Sequence, residues 1–271
     1  MDDRQDFHQR LVRRLIEARS GRPCYVLYLD ALRASVLTEA HPDPKTYDFE
    51  AEDLRLATGE SAQQRDIFQR VLDTPLASTR NKSAPIHLMI FSDAAFLVYE
   101  TALHAAACAA SLMHGFITQE VPVRMGLAHG TWLAQQFSFD AVGPTTVTKS
   151  VFYGTGVPRA TQAATQSGHG CRIFLHPSID GEGLTAIAEH LAVLPIPFPA
   201  PHALNELNYL HPNAGSRHAV AQQDELFARA RDVMLKGVAL PVPPTVTLQY
   251  AETLAALNRM RRQLSLTEFP Q

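Results

Sequence analysis

Two apolar, β-rich segments that each end in an aspartate constrain the fold of this chain more than any other feature. Residues 24–29 (CYVLYL) are followed by Asp30, and residues 86–91 (IHLMIF) are followed by Ser92 and Asp93. Segments that are apolar on both faces are typical of strands buried inside a sheet. The pattern therefore predicts two central strands that bring Asp30 and Asp93 to neighbouring strand ends.

Helical spacing of apolar residues alternates with further short strand-like runs, which predicts a mixed α/β fold. Helices are predicted over residues 5–19, 31–38, 63–73, 100–114, 154–166, 219–235 and 248–264, and further strands over 94–99, 121–127 and 171–175, with a turn at His129-Gly130. Prolines cluster at 195–201 and 241–244. We divide the chain into a leading helix (1–21), a main domain (22–180) and a helical C-terminal appendage (181–271) that packs on the core or on a second subunit.

Composition excludes several classes of protein. Hydrophobic residues make up 46% of the 271 residues, which suffices for a core, and the formal net charge of -3 argues against a broad nucleic-acid surface. The three cysteines have no zinc-ligand or redox spacing and are expected to be small buried hydrophobes in a reducing compartment. The N-terminus is polar and the longest apolar helical stretch, 102–113, is too short to span a bilayer. We expect a cytoplasmic protein without a membrane or nucleic-acid partner.

The aspartate pair has the chemistry of a site for hard cations. Two carboxylates at adjacent strand ends provide the oxygen ligands that Mg²⁺ and Mn²⁺ prefer, and such a site can hold two ions together with a triphosphate. Backbone N–H groups after Asp30, including those of Ala34 and Ser35, are placed to bind phosphates if a helix begins there. The alternative for either aspartate alone is a helix N-cap.

Four segments resemble, in family order, the motifs of the class III adenylyl and guanylyl cyclase domain. The segments are YVLYLDALRASVL, IHLMIFSDAAFLVYE, VPVRMGLAHGTW and FYGTGVPRATQAATQSGHGCRIFL, and they lie between about residues 22 and 178. The resemblance implies a ferredoxin-like α/β fold. It also implies a head-to-tail homodimer in which each active site is shared between two chains.

One half of the implied site matches the family pattern. The resemblance assigns Asp30, Asp93 and the main-chain carbonyl of Ala31 to two Mn²⁺ or Mg²⁺ ions, and Arg124 to the substrate phosphates. The alternative for Arg124 is an edge-strand arginine that pairs with a surface acid. This half would therefore bind a nucleoside triphosphate with its metal ions.

The other half departs from the pattern. The family has an asparagine and an arginine, four residues apart, that stabilise the transition state; Pro158 and Gln162 occupy these positions here. Proline suits a first helical turn but offers no side-chain amide, and Gln162 carries no charge. Arg159 is the nearest substitute, with a solvent-facing helical arginine as the alternative.

The residues at the positions that read the base also differ. The purine-reading lysine and aspartate of the family fall on Met89 and Val151, neither of which can hydrogen-bond a purine edge. Together with Phe152 they could narrow the pocket against a bicyclic base. The pattern favours a pyrimidine nucleotide, UTP ahead of CTP.

The compact chain lacks sensor and membrane modules, and in this it resembles the pyrimidine cyclases of bacterial Pycsar antiphage systems. That resemblance implies synthesis of cyclic UMP or cyclic CMP as a signal for a separate effector that responds to the cyclic nucleotide. One alternative is an inactive cyclase-homology domain that binds a nucleotide or only dimerises. Another is a purine cyclase that reads its base with other residues. His169 and His176 are interpreted as surface residues, His87 as a hydrogen-bonded core residue and Trp132 as a packing residue.

Overall fold

The computed structural model describes residues 23–32, 66–73, 84–91, 93–140, 146–200, 202–211, 225, 228–232 and 244–266, with side chains omitted at 135–140, 146–151, 197–200 and 245–246. The predicted leading helix, most of the predicted helix 31–38, and Ala34 and Ser35 lie outside these residues. Of the predicted helices 63–73 and 219–235, the described parts are helical.

The described elements alternate between strands and helices. In chain order they are β1 (Cys24–Ala31), β2 (His87–Phe91), β3 (Ala94–Tyr99), α1 (Ala102–Thr118), β4 (Val123–Gly130), β5 (Leu133–Asp140), β6 (Thr146–Tyr153), α2 (Gly156–Gln166), β7 (Ile173–Leu175), α3 (Gly181–His190), β8 (Ala192–Ala200), β9 (Ala203–Asn208) and α4 (Pro244–Gln263). No helix among the described residues is long and apolar enough to cross a membrane.

A mixed seven-stranded sheet organises the fold, and the predicted α/β class is confirmed. Its strand order is β2-β3-β1-β4-β7-β9-β8, and β5 and β6 form a separate hairpin. The pair β4–β7 is parallel, whereas the other pairs of the large sheet are antiparallel. Strand β1 lies between β3 and β4, which explains why its residues are apolar on both faces. The prediction that 86–91 is a second central strand is wrong: β2 is an edge strand, and its His87, Ile90 and Phe91 are exposed.

The two faces of β1 pack against different layers. Leu27 and Leu29 face the main hydrophobic core, which includes the alanine-rich helix α1. Val26 lies on the opposite face, in a smaller cluster that contains Trp132 and Ala160 of α2. This alternation follows from the two-residue period of a strand. It places Asp30, four residues after Val26, on the same face as the smaller cluster.

Helix α2 lies so close to β4 that only glycine fits between them. A Cβ atom on Gly126 would lie 2.1 Å from the carbonyl oxygen of Ala160 and 2.6 Å from the backbone nitrogen of Ala164. Helix backbone cannot move aside as a flexible side chain can. The glycine two residues after Arg124 therefore fixes the position of α2 on the sheet.

The predicted turn at His129-Gly130 is wrong, because β4 continues through both residues. His129 pairs with Tyr25 and Gly130 with Cys24 along the full length of β1. The His129 and Tyr25 rings stack with their centroids 4.9 Å apart. Cross-strand pairing thus overrides the local tendency of glycine to end a strand.

The C-terminal region contributes strands as well as helices. Residues 192–200 and 203–208, expected to belong to a helical appendage, form β8 and β9, and β9 pairs with β7 in the main sheet. The prolines are tolerated because β8 is an edge strand with a register irregularity between Pro195 and Ala200. Tyr250, Leu257 and Met260 of α4 are buried in the main core.

Candidate active site

The end of β1 brings the two predicted aspartates together at one place on the sheet. Asp30 is the penultimate residue of β1, and its cross-strand partners are Ala94 on β3 and Arg124 on β4. Asp93 lies in the tight connection between β2 and β3. The N–H of Ala31 donates to the carbonyl oxygen of Asp93 at 2.8 Å. This hydrogen bond ties the segment that carries Asp93 to the end of β1.

Arg124 forms an ion pair with Asp30. Its Nε and Nη2 donate to Oδ2 of Asp30 at 2.9 and 2.6 Å, and the side chains of Arg124 and Asp30 are 21% and 18% exposed. The partner of Arg124 is thus the candidate metal ligand, and not a surface acid. Because both contacts use one carboxylate oxygen, the pair leaves Oδ1 for another ligand.

Burial dominates the electrostatics of Asp30. Desolvation raises the pKa of this carboxyl above its usual range; the charge and hydrogen bonds of Arg124 lower it, and the nearby Asp93 raises it again, with a net upward direction. Desolvation and the charge of Asp30 also raise the pKa of the Tyr28 hydroxyl, to about 12. The site therefore favours a further positive charge beside Asp30.

The donor set fits divalent ions that bind together with a substrate. No cluster of three or more histidine, cysteine, aspartate or glutamate side chains occurs among the described residues. Two carboxylates and a main-chain carbonyl are hard oxygen donors, which suit Mg²⁺ or Mn²⁺ when phosphates and water complete the coordination. Asp30, Asp93 and the carbonyl of Ala31 are the residues that would hold such ions.

An aromatic cluster borders this site on the same face of β1. We define it as Tyr28, Phe91, Phe96, Trp132 and Phe152. The Phe96 ring lies 4.9 Å from Tyr28, 6.0 Å from Trp132 and 5.6 Å from Phe152, measured between centroids. The Trp132 and Phe152 rings are stacked at 5.8 Å. Trp132 is buried, in keeping with its interpretation as a packing residue.

Two of the three predicted base-pocket residues meet at this cluster. Met89 of β2 and Phe152 of β6 both pack against the buried residues that include Phe96 and Trp132. The side chain of Val151 lies outside the described residues. Tyr28 and Phe96 were not predicted from the sequence as site residues. The sequence feature that could have identified Tyr28 is its position two residues before Asp30, which puts both side chains on the same face of the strand.

The start of α2 positions Arg159 away from Asp30. Arg159 Nη1 donates to the carbonyl oxygen of His129 at 3.0 Å, and its side chain is partly buried rather than solvent-facing. The pKa of His176 falls to about 4 because of burial, the charge of Arg159 and the nearby His202. His176 is partly buried, and its lowered pKa keeps the ring neutral at pH 7. Pro158 is exposed, and Gln162 lies one helical turn further on, partly buried.

Comparison with known proteins gives structural similarity alone. No protein-family model matches the chain, and no curated protein matches it. Among similar solved structures, the guanylyl cyclase Cya2 is 13% identical, with 69% of this chain and 92% of that chain covered and a TM-score of 0.46. An adenylate cyclase from Trypanosoma brucei in its monomeric state is 13% identical (74% and 92% covered, TM-score 0.45). A bacterial light-regulated adenylyl cyclase is 10% identical (77% and 97% covered, TM-score 0.46).

The raised pKa of Asp30 leads to a prediction about stability. A carboxyl whose pKa is raised by folding stabilises the protein below its unfolded-state pKa, and this contribution is lost as the pH rises through the folded-state pKa. Asp30→Asn mimics the neutral form. We therefore expect the variant, in EDTA, to melt at the same temperature as the wild type or higher at pH 7.

Thermal unfolding followed by circular dichroism between about pH 4 and about pH 8 would measure this difference, which should narrow as the pH falls. Glu189→Gln, the same chemical change at an exposed position on α3, is the matched control. An Asp30→Asn protein that is clearly less stable than the wild type at pH 7 would show that the Arg124 ion pair outweighs burial.

Proposed function

We propose that this chain is a nucleotide cyclase that converts a nucleoside triphosphate into its 3′,5′-cyclic monophosphate and diphosphate. The observation that carries the proposal is the convergence of Asp30, Asp93 and Arg124 at one end of β1. These are the residues that the cyclase motifs assign to metal ions and phosphates. The three residues were identified from sequence motifs, and their contacts at the end of β1 are a separate observation that supports the proposal.

The residues of this chain have separate tasks in the reaction. The 3′ hydroxyl oxygen bonds to the α-phosphorus while the bond to the diphosphate breaks, and the hydroxyl proton leaves to solvent. Two bound Mg²⁺ or Mn²⁺ ions would lower the pKa of that hydroxyl and neutralise phosphate charge. Asp30 and Asp93 would hold these ions. Arg124 exchanges its ion pair with Asp30 for phosphate oxygens, which it can bind with two parallel N–H donors.

We further propose a head-to-tail homodimer, in which Arg159 and Gln162 of one chain complete the site of the other. Ile86, Ile90 and Phe91, in and just before β2, are 49%, 41% and 38% exposed and lie beside the segment that carries Asp93. Exposed apolar side chains concentrated at one sheet edge favour burial against another protein surface. A second copy that packs there would reach the phosphate site.

We propose a pyrimidine triphosphate as the substrate, UTP ahead of CTP. Met89 and Phe152 pack against one cluster on the Asp30 face, and neither side chain has a hydrogen-bonding group for a purine edge. Selection would then rest on the shape of the pocket. The preference for UTP, the role in antiphage defence and the separate effector rest on the resemblance to Pycsar cyclases.

An inactive nucleotide-binding or dimerisation module is the second candidate. It is favoured by Pro158 and Gln162 in place of the family's asparagine and arginine. It is also favoured by the engagement of Arg159 with the carbonyl of His129 in its own chain. Both observations concern the half of the site that stabilises the transition state, so this candidate retains binding without turnover.

The primary test is a competition among the four nucleoside triphosphates at equal concentrations, with Mn²⁺ or Mg²⁺ and product identification by mass spectrometry. We expect cyclic UMP to dominate. Asp30→Asn and Asp93→Asn should each lower turnover by about a hundredfold or more, because metal-ion catalysis contributes several kcal/mol. Glu189→Gln is the matched control.

Near-wild-type turnover by either aspartate variant would contradict the metal assignment. A cyclic purine as the main product would contradict the choice of substrate. No product with either metal, together with retained nucleotide binding, would favour the inactive module.

Complementation tests the shared site. Asp30→Asn chains and Arg159→Ala chains should each be nearly inactive alone. Each mixed dimer contains one site with both halves intact, so random mixing should restore about a quarter of wild-type activity. The mixture is assayed for product after dissociation and reassembly. Strictly monomeric active protein would rule out the shared site, and full activity of Arg159→Ala would rule out its role in trans.

Truncation of the aromatic cluster tests selection by shape. Phe152→Ala should raise turnover of ATP and GTP relative to UTP by about tenfold, because shape discriminates modestly in an apolar pocket. The ratio of kcat/KM values for the purine and pyrimidine triphosphates measures this. Leu248→Ala, a comparable truncation of an exposed residue on α4, is the control. An unchanged ratio in a folded Phe152→Ala protein would exclude this ring from base selection.

A further inference from the structure

A polar cleft lies outside the candidate active site, between the C-terminal end of α2, the segment before β7, and α4. It has a volume of about 450 Å³. One wall is lined by residues 165–169, Arg172 and Ile196, and the other by Glu252, Ala255 and Arg259 of α4. None of these residues belongs to the candidate active site. The cleft is therefore a second place at which this protein could bind a small molecule.

Two arginines in the cleft share one buried carboxylate. Glu206 on β9 is fully buried and accepts from Arg172 Nε at 2.5 Å and from Arg259 Nη2 at 2.7 Å. Its single negative charge therefore faces two guanidinium groups. Glu252 lies 3.5 Å from Arg172 Nη1 and its side chain is 36% exposed, so it compensates the second positive charge through a long, partly hydrated contact.

Three hydrogen-bond donors that belong to cleft-lining residues are buried without a partner among the described residues. They are Nη2 of Arg172, Nε of Arg259 and the hydroxyl of Ser167. The Arg172 side chain is only 5% exposed. Buried donors are almost always satisfied in proteins, and those on charged groups are the most costly to leave unmade. The acceptor oxygens of a bound ligand would satisfy these three donors.

Helix α4 is held directly against the opposite wall. Oε2 of Glu252 accepts from the N–H of His169 at 3.0 Å, and the hydroxyl of Thr253 accepts from the N–H of Cys171 at 2.8 Å. A Cβ atom on Gly170, whose φ is +90°, would lie 2.0 Å from the Thr253 hydroxyl oxygen. The cleft is thus a fixed feature of the way α4 docks.

We propose that this cleft binds a small molecule through an oxyanion, a carboxylate or phosphate group, held by Arg172, Arg259 and Ser167. The Glu252 carboxylate lies beside Arg172 and competes with the ligand for this arginine. Glu206 and Glu252 together balance the two guanidinium charges, and the carbonyl groups at the C-terminal end of α2 oppose an anion. Binding therefore rests on the unpartnered donors rather than on net charge. Binding does not depend on the proposed cyclase activity.

Isothermal titration with inorganic phosphate and, separately, with succinate tests the proposal, in EDTA and at matched ionic strength. Ser167→Ala should weaken binding by about tenfold through loss of one hydrogen bond to a charged group. Glu252→Gln keeps the acceptor for His169 but removes the competing charge, and should strengthen binding by a similar factor. Arg172 is left intact because its removal would strand buried Glu206. The two probes distinguish a phosphate-bearing ligand from a carboxylate-bearing one.

Arg124→Ala is the control against binding at the candidate active site, and its affinity for the better probe should equal that of the wild type. Glu189→Gln controls for a general change in charge. No binding of either probe to the wild type and to Glu252→Gln would overturn the proposal. Equal affinity in a folded Ser167→Ala protein would overturn it too, as would loss of binding in Arg124→Ala.

Discussion

The register of β1 between β3 and β4 is the constraint on which the rest of the site depends. It aligns Ala94, Asp30 and Arg124 in one row across three strands. Because side chains alternate along a strand, a slip of one residue would turn Asp30 toward the apolar core under α1. Such a slip is costly because Asp30 would lose its ion pair with Arg124 and carry an unpaired carboxylate into the core.

The position of Asp30 at the rim of the core has an electrostatic consequence. Burial raises its pKa even though Arg124 forms two hydrogen bonds to it. The ion pair therefore compensates the desolvation only in part. A carboxylate in this condition gains more from a divalent cation than an exposed one does. The same partial burial that costs stability makes the residue a better ligand for a hard metal ion.

Much of the fold followed from local sequence because two strands are strongly apolar and each is followed closely by an aspartate. Residues 24–29 and 86–91 were predicted as strands for this reason, and α1 from its run of alanines. Strands β8 and β9 were missed because prolines at 195–201 conceal the alternation, and an edge strand tolerates them. The hairpin β5–β6 was missed as well. Polar residues such as Gln135, Gln136 and Lys149 interrupt the apolar pattern of its two strands.

The functional residues likewise fall into those that the sequence identifies and those that only the folded chain brings together. Asp30, Asp93 and Arg124 belong to short motifs and could be selected from the sequence. The meeting of Met89 with Phe152 at the aromatic cluster depends on two separate arrangements. β2 lies in the same sheet as β1 with Met89 aligned with Phe96 and Tyr28, and Phe152 of the hairpin strand β6 packs against that face. The charge cluster around Glu206 depends on contacts between residues up to 53 positions apart. Features of this second kind need the assembled sheet before they can be recognised.

The main sheet also places the cleft and the candidate active site on adjoining strands. The N–H of Met125, the residue after Arg124, donates to the carbonyl oxygen of Arg172 at 2.9 Å. Helix α2 lies against β4 at Gly126 and ends at the wall of the cleft. Close-packed backbone at both contacts leaves little room for independent movement. These two backbone contacts link the segment before β7, on which α4 docks, to the strand that carries Arg124. Rotation of side chains cannot relax them.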